Sequence, residues 1–210
     1  SSKKERQELG LFVAEGLQGV REAIQNNSIE TLYLTASGQE RLVKANIDFN
    51  QTNMIEVSGK VAESMSDAIT SQGIIAICKL PNRDKKELLN YLPNHLIFLD
   101  EIQDPGNAGT ILRTADAMGI KAIITSPGSV DFYSPKVVRA TAGSLWHIPV
   151  FNNIELDEVF AILPSHKRYV LDASGDLELT QVNFDKPALW IFGNEARGLK
   201  RDVAQAIRVS

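Results

Sequence analysis

A single cysteine in 210 residues, Cys78, excludes an internal disulfide and any CxxC metal site. It lies in the apolar run IIAIC, where a buried structural thiol is the expected reading. Histidine is nearly as scarce: His95, His147 and His166 fall at strand or helix edges without ligand spacing and read as structural or solvated. Basic residues are not in excess. Lys and Arg number 22 against 26 Asp and Glu, a formal net charge of −4; the split is 11 against 12 over residues 1–92 and 11 against 14 over 93–210. Neither half is a basic nucleic-acid module, so contact with a nucleic acid would need a local patch. No apolar run approaches the ~18 residues of a membrane span. The start, SSKKERQELG, is too charged for a signal peptide, which points to the cytoplasm. GNAGT (106–110) lacks the third glycine of GxGxxG and the GK[ST] of a phosphate loop, so neither dinucleotide nor nucleoside-triphosphate binding is supported.

What is present is enough apolar sequence, 43%, to bury a core, in a length that suits one domain or two small ones. Apolar spacing predicts a helix over 15–26, a strand from about residue 31, a helix over 39–46, an extended NMIEV (53–57), a helix over 61–65 after Ser58, and a buried strand GIIAICKL (73–80). Pro81 to Asp84 break this pattern, Asp84 can cap KKELLNYL, and Pro93-Asn94 closes it. From His95 onward, LIFLD, helix 107–118, KAIIT, helix 134–141, WHIPVF, helix 156–163, RYVLDA and ALWIFG alternate regularly. Short apolar strands separated by helices argue for a parallel α/β sheet covered on both faces. Trp146 and Trp190 sit in apolar strand context and read as core.

Ligands of such sheets gather beyond the carboxyl ends of the strands. Four loops lie there: DEIQDPGNAGT, TSPGSVDFYSP, LDASGD and FGNEARGL. In the first, Asn107 can cap a helix, Gly109 suits a close backbone or ligand approach, and Arg113 falls nearly two turns further on. An ordinary capped helix with a solvated arginine fits that spacing at least as well. Pro135 starts a helix with Lys136 and Arg139 on one face, which could hold a phosphodiester backbone or simply be solvated. FGNEARGL (192–199) sets two glycines, an asparagine and Glu195 straight after a buried strand. That arrangement aims backbone N–H groups and a carboxylate beyond the strand end. Its alternative is a plain turn in which Glu195 pairs with Arg197 or Lys200.

Asn107, Gly109 and Arg113, an N-x-G-x-x-x-R pattern after a parallel strand, followed by FGNEARGL at a later strand end, resemble the first two motifs of the SpoU, or TrmH-like, family of RNA 2'-O-ribose methyltransferases in the SPOUT superfamily. KVVRATAGSLWHIPV (136–150) is similar to the family's stretch between those motifs. Through GLFVAEGLQGVREAI (10–24) and SQGIIAICKLP (71–81), residues 1–82 resemble the RNA substrate-binding domain often placed before the catalytic one, a small ribosomal-protein-like α/β fold. The catalytic domain would then span 93–210, a SPOUT-type parallel sheet flanked by helices.

The resemblance implies methyl transfer from S-adenosyl-L-methionine to a ribose 2'-hydroxyl of rRNA or tRNA, in a homodimer and without a metal. Arg113 takes the catalytic position, and Asn107 and Glu195 assemble the site. Arginine keeps its charge, so Arg113 is expected to stabilise an alkoxide and clamp the neighbouring phosphate, with Glu195 orienting it in a bidentate pair. Gly193, Asn194, Thr141, Asp172, Ala173 and Gly175 are expected to line the cofactor pocket. Arg113, Lys136, Arg139, Arg197 and Lys200, with Arg201, would form the RNA patch. The family's third motif, which completes a C-terminal knot, should begin just after IRVS (207–210); the sequence stops there, so the domain is expected to be incomplete at its C-terminus. A competing expectation is a non-catalytic RNA-binding module that keeps the fold. A nucleotide-dependent α/β enzyme of another family would need a phosphate motif that the sequence lacks.

Overall fold

The computed structural model describes residues 2–199 and 202–210. The chain forms two compact units, Ser1–Asn82 with Asp131–His147, and Arg83–Val130 with Ile148–Ser210. No helix among the described residues is long and apolar enough to cross a membrane.

In the first unit, α1 (Lys3–Leu9) starts at a reciprocal capping box between Ser2 and Glu5 and ends at Gly10, left-handed at φ 66°. It leads into β1 (Leu11–Glu15), then α2 (Leu17–Gln25), β2 (Ile29–Leu34), α3 (Ala36–Lys44), β3 (Met54–Glu56), α4 (Gly59–Met65) and β4 (Ile74–Lys79). The sheet order is β1-β4-β2-β3, with β4 antiparallel to both neighbours and β2 parallel to β3. Besides α1, which was not expected, and α3, which begins at Ala36 and not at residue 39, two further features differ from the sequence expectation. LFVAE, left unassigned, is a strand, because β4 has a free edge that Leu11 to Glu15 pairs residue by residue. The predicted start of α2 at residue 15 moves to Leu17, since Gly16 sits at φ 83° and breaks the helical run. Cys78 is fully buried in β4, and burial pushes its thiol up to about 12, so it is an inert core residue.

The inserted segment carries α6 (Pro135–Ala140) and a short 3-10 turn at Ser144–Trp146. Polar bonds fasten it within this unit. The buried Arg6 guanidinium donates to Asp131 at 2.5 and 3.1 Å, Arg139 pairs with Glu15, and Trp146 Nε1 donates to Ser28 Oγ at 2.8 Å. Phe12 meets Tyr133 edge-on at 5.1 Å and Trp146 at 5.9 Å. WHIPVF, expected as one strand, is therefore divided. Trp146 belongs to the 3-10 turn, and only Val150–Phe151 extends into a sheet, as β7.

The second unit holds β5 (Leu96–Leu99), α5 (Pro105–Ala117), β6 (Ala122–Thr125), β7, α7 (Leu156–Ile162), β8 (Lys167–Leu171), β9 (Ala188–Phe192) and β10 (Ala206–Val209). Its six strands run in the order β10-β8-β9-β5-β6-β7, every pair parallel. One face, with Leu96, Phe98, Ile124, Val170 and Ile191, packs on Leu156, Val159 and Leu163 in and just beyond α7, and on Leu88. Alternation along the strands gives the other face Ile97, Ile123, Tyr169 and Trp190, and Trp190 is stacked between Tyr169 (4.7 Å) and Phe184 (5.4 Å). β10 was not foreseen. Its register on β8, Ala206 to Arg168 through Val209 to Leu171, is a tertiary pairing that a four-residue stretch does not announce.

His166, just before β8, is 5% exposed. Its Nε2 faces the Asn94 carbonyl at 3.0 Å, and its Nδ1 is buried without a partner among the described residues. The neutral ring with the proton on Nε2 satisfies this arrangement, and burial holds the imidazole below its ordinary value against the opposing Asn94 bond. The unfolded chain therefore binds a proton more readily than the folded one. This contribution is complete above the unfolded value near 6.5 and drains away as pH falls below it, with a slope of at most about 1.4 kcal/mol per pH unit. Urea unfolding between pH 5 and 8 should show an acid-side loss that His166→Leu flattens. An unchanged acid limb in that variant would remove His166 as its source.

Candidate active site

Because the sheet is wholly parallel, the loops after β5, β6, β8 and β9 all leave from one edge. The chain passes from β5 to β6 to β7 in one direction, while β9, β8 and β10 lie on the other side of β5. The order reverses between β5 and β9, and such a switch point opens a crevice between the loops of its two strands. Those loops are 100–104, which leads into the helix bearing Asn107, Gly109 and Arg113, and 193–199, which carries the second motif.

In the first loop the helix cap is Asp104 rather than Asn107. Asp104 Oδ1 accepts the Asn107 N–H at 2.7 Å, and Pro105 takes the first helical position, where its missing N–H leaves nothing unpaired. Asp-Pro-Gly-Asn thus shifts α5 two residues earlier than expected and sets Asn107 within the first turn. There its side-chain amide donates to Glu195 Oε1 at 3.4 Å.

Glu195 also accepts the Gln103 N–H at 3.3 Å and the Asp104 N–H at 3.2 Å. Burial alone would raise its carboxyl; its own backbone N–H, those of Asp104 and Gln103, and the Asn107 amide outweigh that and hold it below the usual value. An ionised carboxylate in front of a helix N-terminus is favoured in its own right. The expected bidentate pair between Glu195 and Arg113 does not form. Both Glu195 oxygens are taken up at the front of α5, whereas Arg113 lies six residues beyond Asn107, about 9 Å along the axis. Arg113 is exposed and has no hydrogen-bond or ion-pair partner among the described residues.

The second loop is a closed turn. Asn194 and Gly198 exchange backbone hydrogen bonds of 3.0 and 2.8 Å, with Gly198 left-handed at φ 64°. Asn194 Nδ2 donates to the Glu101 carbonyl at 2.8 Å, and Arg197 pairs with the Glu101 carboxylate instead of with Glu195. A Cβ at Gly193 would lie 2.4 Å from the Gly198 carbonyl carbon and 2.5 Å from the Leu199 nitrogen. The glycine is therefore needed for the loop's own backbone to close.

After β8, Asp172 Oδ1 accepts the backbone N–H and the hydroxyl of Ser174 at 3.0 and 2.8 Å, and its other oxygen pairs with Arg208. The Ser174 bonds first, then Arg208, hold this carboxyl below its ordinary value. Gly175 lets β10 pass, since a Cβ there would lie 2.7 Å from Val209 backbone atoms; Ala173 is exposed. Thr141, Lys136 and Arg139 belong to the other unit, where Thr141 is buried with its hydroxyl donating to the Val138 carbonyl and Lys136 is exposed. Lys200 and Arg201 lie outside the described residues.

The residues thus gathered around the switch point are Asn107, Glu195, Asn194 and Gly193. Sequence reasoning missed three that complete the cluster. Glu101 receives Asn194 and Arg197, the Ser126 hydroxyl accepts the Glu101 N–H at 2.8 Å, and Gln103 offers its N–H to Glu195 and its amide to the Gly128 carbonyl. No local pattern marks them, because their partners stand 25 to 96 residues away.

Residues 94–209 of the chain, more than half of it, match the SpoU rRNA Methylase family. The chain belongs to that family. Ahead of the SpoU region, residues 1–76 match an MRM3-like substrate binding domain. Among relatives of this SpoU chain, human mitochondrial rRNA methyltransferase 3 is 32% identical over 81% of the chain and 42% of its own length. The 23S rRNA (guanosine(2553)-2'-O)-methyltransferase RlmP of Bacillus subtilis is 31% identical over 71% of the chain and 57% of its own length. The chain thus spans about two-fifths to three-fifths of these curated relatives. Among solved structures, an AdoMet-bound rRNA methyltransferase from Sinorhizobium meliloti superposes with a TM-score of 0.81 at 28% identity, covering 100% of the chain and 82% of its own. A TrmH-family RNA methyltransferase described as putative, from Porphyromonas gingivalis, gives 0.83 at 28% identity over 99% and 82%. The SpoU assignment accords with the parallel α/β sheet flanked by helices and with the two motif loops at its switch point.

Proposed function

We propose that the protein transfers a methyl group from S-adenosyl-L-methionine to a ribose 2'-hydroxyl of RNA, with rRNA as the substrate class. The observation that carries this reading is the pairing of the two motif loops, with Glu195 bound to the front of α5 through Asn107, Gln103 and Asp104, and Arg113 unengaged two turns further along the same helix. The names of the relatives support rRNA, and the AdoMet-bound neighbour supports the cofactor.

At the sheet edge Asp172 and Glu195 are held ionised by the protein's own donors, Ser174 and Arg208 for the first and the front of α5 for the second, Gly175 and Gly193 give room to the chain's own backbone, and Ala173 is exposed. In this reading Gly193, Asn194, Asp172, Ala173 and Gly175 hold the cofactor, which supplies an already activated methyl group. The protein's task is then to align the acceptor and favour its ionised form. Arg113, which has no carboxylate partner among the described residues, stabilises the developing alkoxide and holds the adjacent phosphate; a guanidinium suits this better than proton abstraction. Asn107 and Glu195 set the angle of α5 and so the position of Arg113. For RNA, Arg113 and Lys136 are exposed and unpaired among the described residues, while Arg139 and Arg197 reach RNA only at the expense of ion pairs. A homodimer is part of the proposal on the family resemblance alone.

Tritium-labelled S-adenosylmethionine and rRNA from cells lacking the gene provide the test. Label should appear on 2'-hydroxyls at a discrete site, with S-adenosylhomocysteine binding measurable by calorimetry. RNA binding with neither label nor cofactor binding would replace this reading with a non-catalytic RNA-binding module.

A further inference from the structure

We infer that Glu101 is a positioning residue for the methyl transfer, acting as the counterpart of Glu195 in a two-way clasp between the motif loops. The inference rests on the proposed reaction. Glu195, in the second loop, receives three donors from the first: the N–H groups of Gln103 and Asp104 and the amide of Asn107. Glu101, in the first loop, receives two donors from the second: the Asn194 amide on its carbonyl and the Arg197 guanidinium on its carboxylate. Each loop thus lends one glutamate to the other. A single carboxylate could act as a pivot; two, on opposite sides of the crevice, fix both separation and twist.

The backbone at Glu101 supports a dedicated role. Its φ is 54°, a left-handed conformation that is uncommon outside glycine, asparagine and aspartate and is strained for a residue such as glutamate. The surroundings over-determine it. Its N–H donates to Ser126 Oγ at 2.8 Å, tying in the β6 loop, and its carbonyl accepts Asn194 Nδ2 at 2.8 Å. The flanking Asp100 N–H donates to the Phe192 carbonyl at 2.8 Å. Loops from β9, β5 and β6 therefore converge on one residue. A glycine would satisfy the backbone at lower conformational cost. What glutamate adds is the carboxylate, and Arg197 is its partner across the crevice. Since Glu195 reaches α5 from the loop that Arg197 anchors, loosening Arg197 lets α5, and Arg113 with it, move against the acceptor. A misplacement of about 1 Å can lower turnover by as much as ~100-fold.

Glu101→Gly removes the carboxylate while accommodating the left-handed backbone, and Glu101→Gln keeps a hydrogen-bonding side chain without charge. Expected for Glu101→Gly are a kcat about tenfold lower, a KM for S-adenosylmethionine within about twofold, an unchanged melting temperature, and faster amide exchange across 194–198. Glu101→Gln should lie between it and the parent. In an Arg197→Gln background, Glu101→Gln should cost less than about twofold more, because the two act as one unit. Full, additive loss in that background, or unchanged kcat and exchange in Glu101→Gly, overturns the inference. Absence of transfer by the parent protein in the same assay defeats the proposed reaction instead, and the exchange measurement still reads the clasp.

Discussion

Arg113→Ala should lower methyl transfer by about 10²–10³-fold while leaving the affinity for S-adenosylmethionine within about twofold. The fold gives little reason for any other loss. Arg113 is exposed on α5 and has no partner among the described residues, and alanine is the better helix former, so the melting temperature should hold or rise slightly. A side chain that costs nothing structurally when removed is a clean probe of chemistry. Arg113→Lys sharpens the measurement. It keeps the charge but loses the planar fork, so partial activity is expected if the guanidinium both clamps a phosphate and faces the alkoxide. Equal losses of turnover and cofactor affinity in Arg113→Ala would move the residue from the transfer step to the cofactor pocket.

The contrast between Arg113 and the other candidate cations was only half legible in the sequence. Composition predicts that any RNA patch has to be local, because neither half of the chain carries a basic excess. It cannot predict which cations are neutralised. Arg139 meets Glu15, 124 residues away, and Arg197 meets Glu101, 96 residues away, so two of the expected patch residues carry acidic partners. Arg113 and Lys136, both exposed, have no acidic partner among the described residues.

The same division between local and distant signals runs through the fold. Periodicity identified the strand–helix alternation from His95 onward, since β5, β6, β8 and β9 are apolar enough to be recognised alone. Of the expected strand WHIPVF only the two residues of β7 pair, with β6, and the half-exposed β10 carries too little pattern to be recognised apart from its pairing with β8. Motif spacing placed both candidate loops at strand ends, and the structure sets those ends side by side, at β5 and β9. The helix cap is Asp104, three residues before the expected Asn107, and this sets Asn107 inside the first turn, where its side-chain amide donates to Glu195. Likewise the carboxylate of FGNEARGL was expected to face Arg113, and it faces the front of α5 instead.

Gly193→Ala is expected to be nearly as damaging as Arg113→Ala, for a purely steric reason. The added methyl would lie 2.4 Å from the Gly198 carbonyl carbon, 2.5 Å from the Leu199 nitrogen and 2.7 Å from the Gly198 oxygen. All three are backbone atoms, so no side-chain rotation relieves the contact and the turn itself must open. Opening breaks the paired bonds between Asn194 and Gly198 and draws Glu195 away from Gln103, Asp104 and Asn107. Overpacking of this kind costs about 1–3 kcal/mol, and a shift of about 1 Å at the loop corresponds to transfer reduced roughly 100-fold. Gly198→Ala separates sterics from backbone preference within the same turn. Gly198 is left-handed at φ 64° but has nothing within 4 Å of the added Cβ, so its replacement should cost only the conformational term, about 1–2 kcal/mol, with transfer within about tenfold. Transfer rates, cofactor calorimetry and melting curves for the two variants decide the matter. A Gly193→Ala protein that methylates normally while Gly198→Ala fails would mean that the turn's handedness, and not the close approach of its backbone, holds Glu195 against α5.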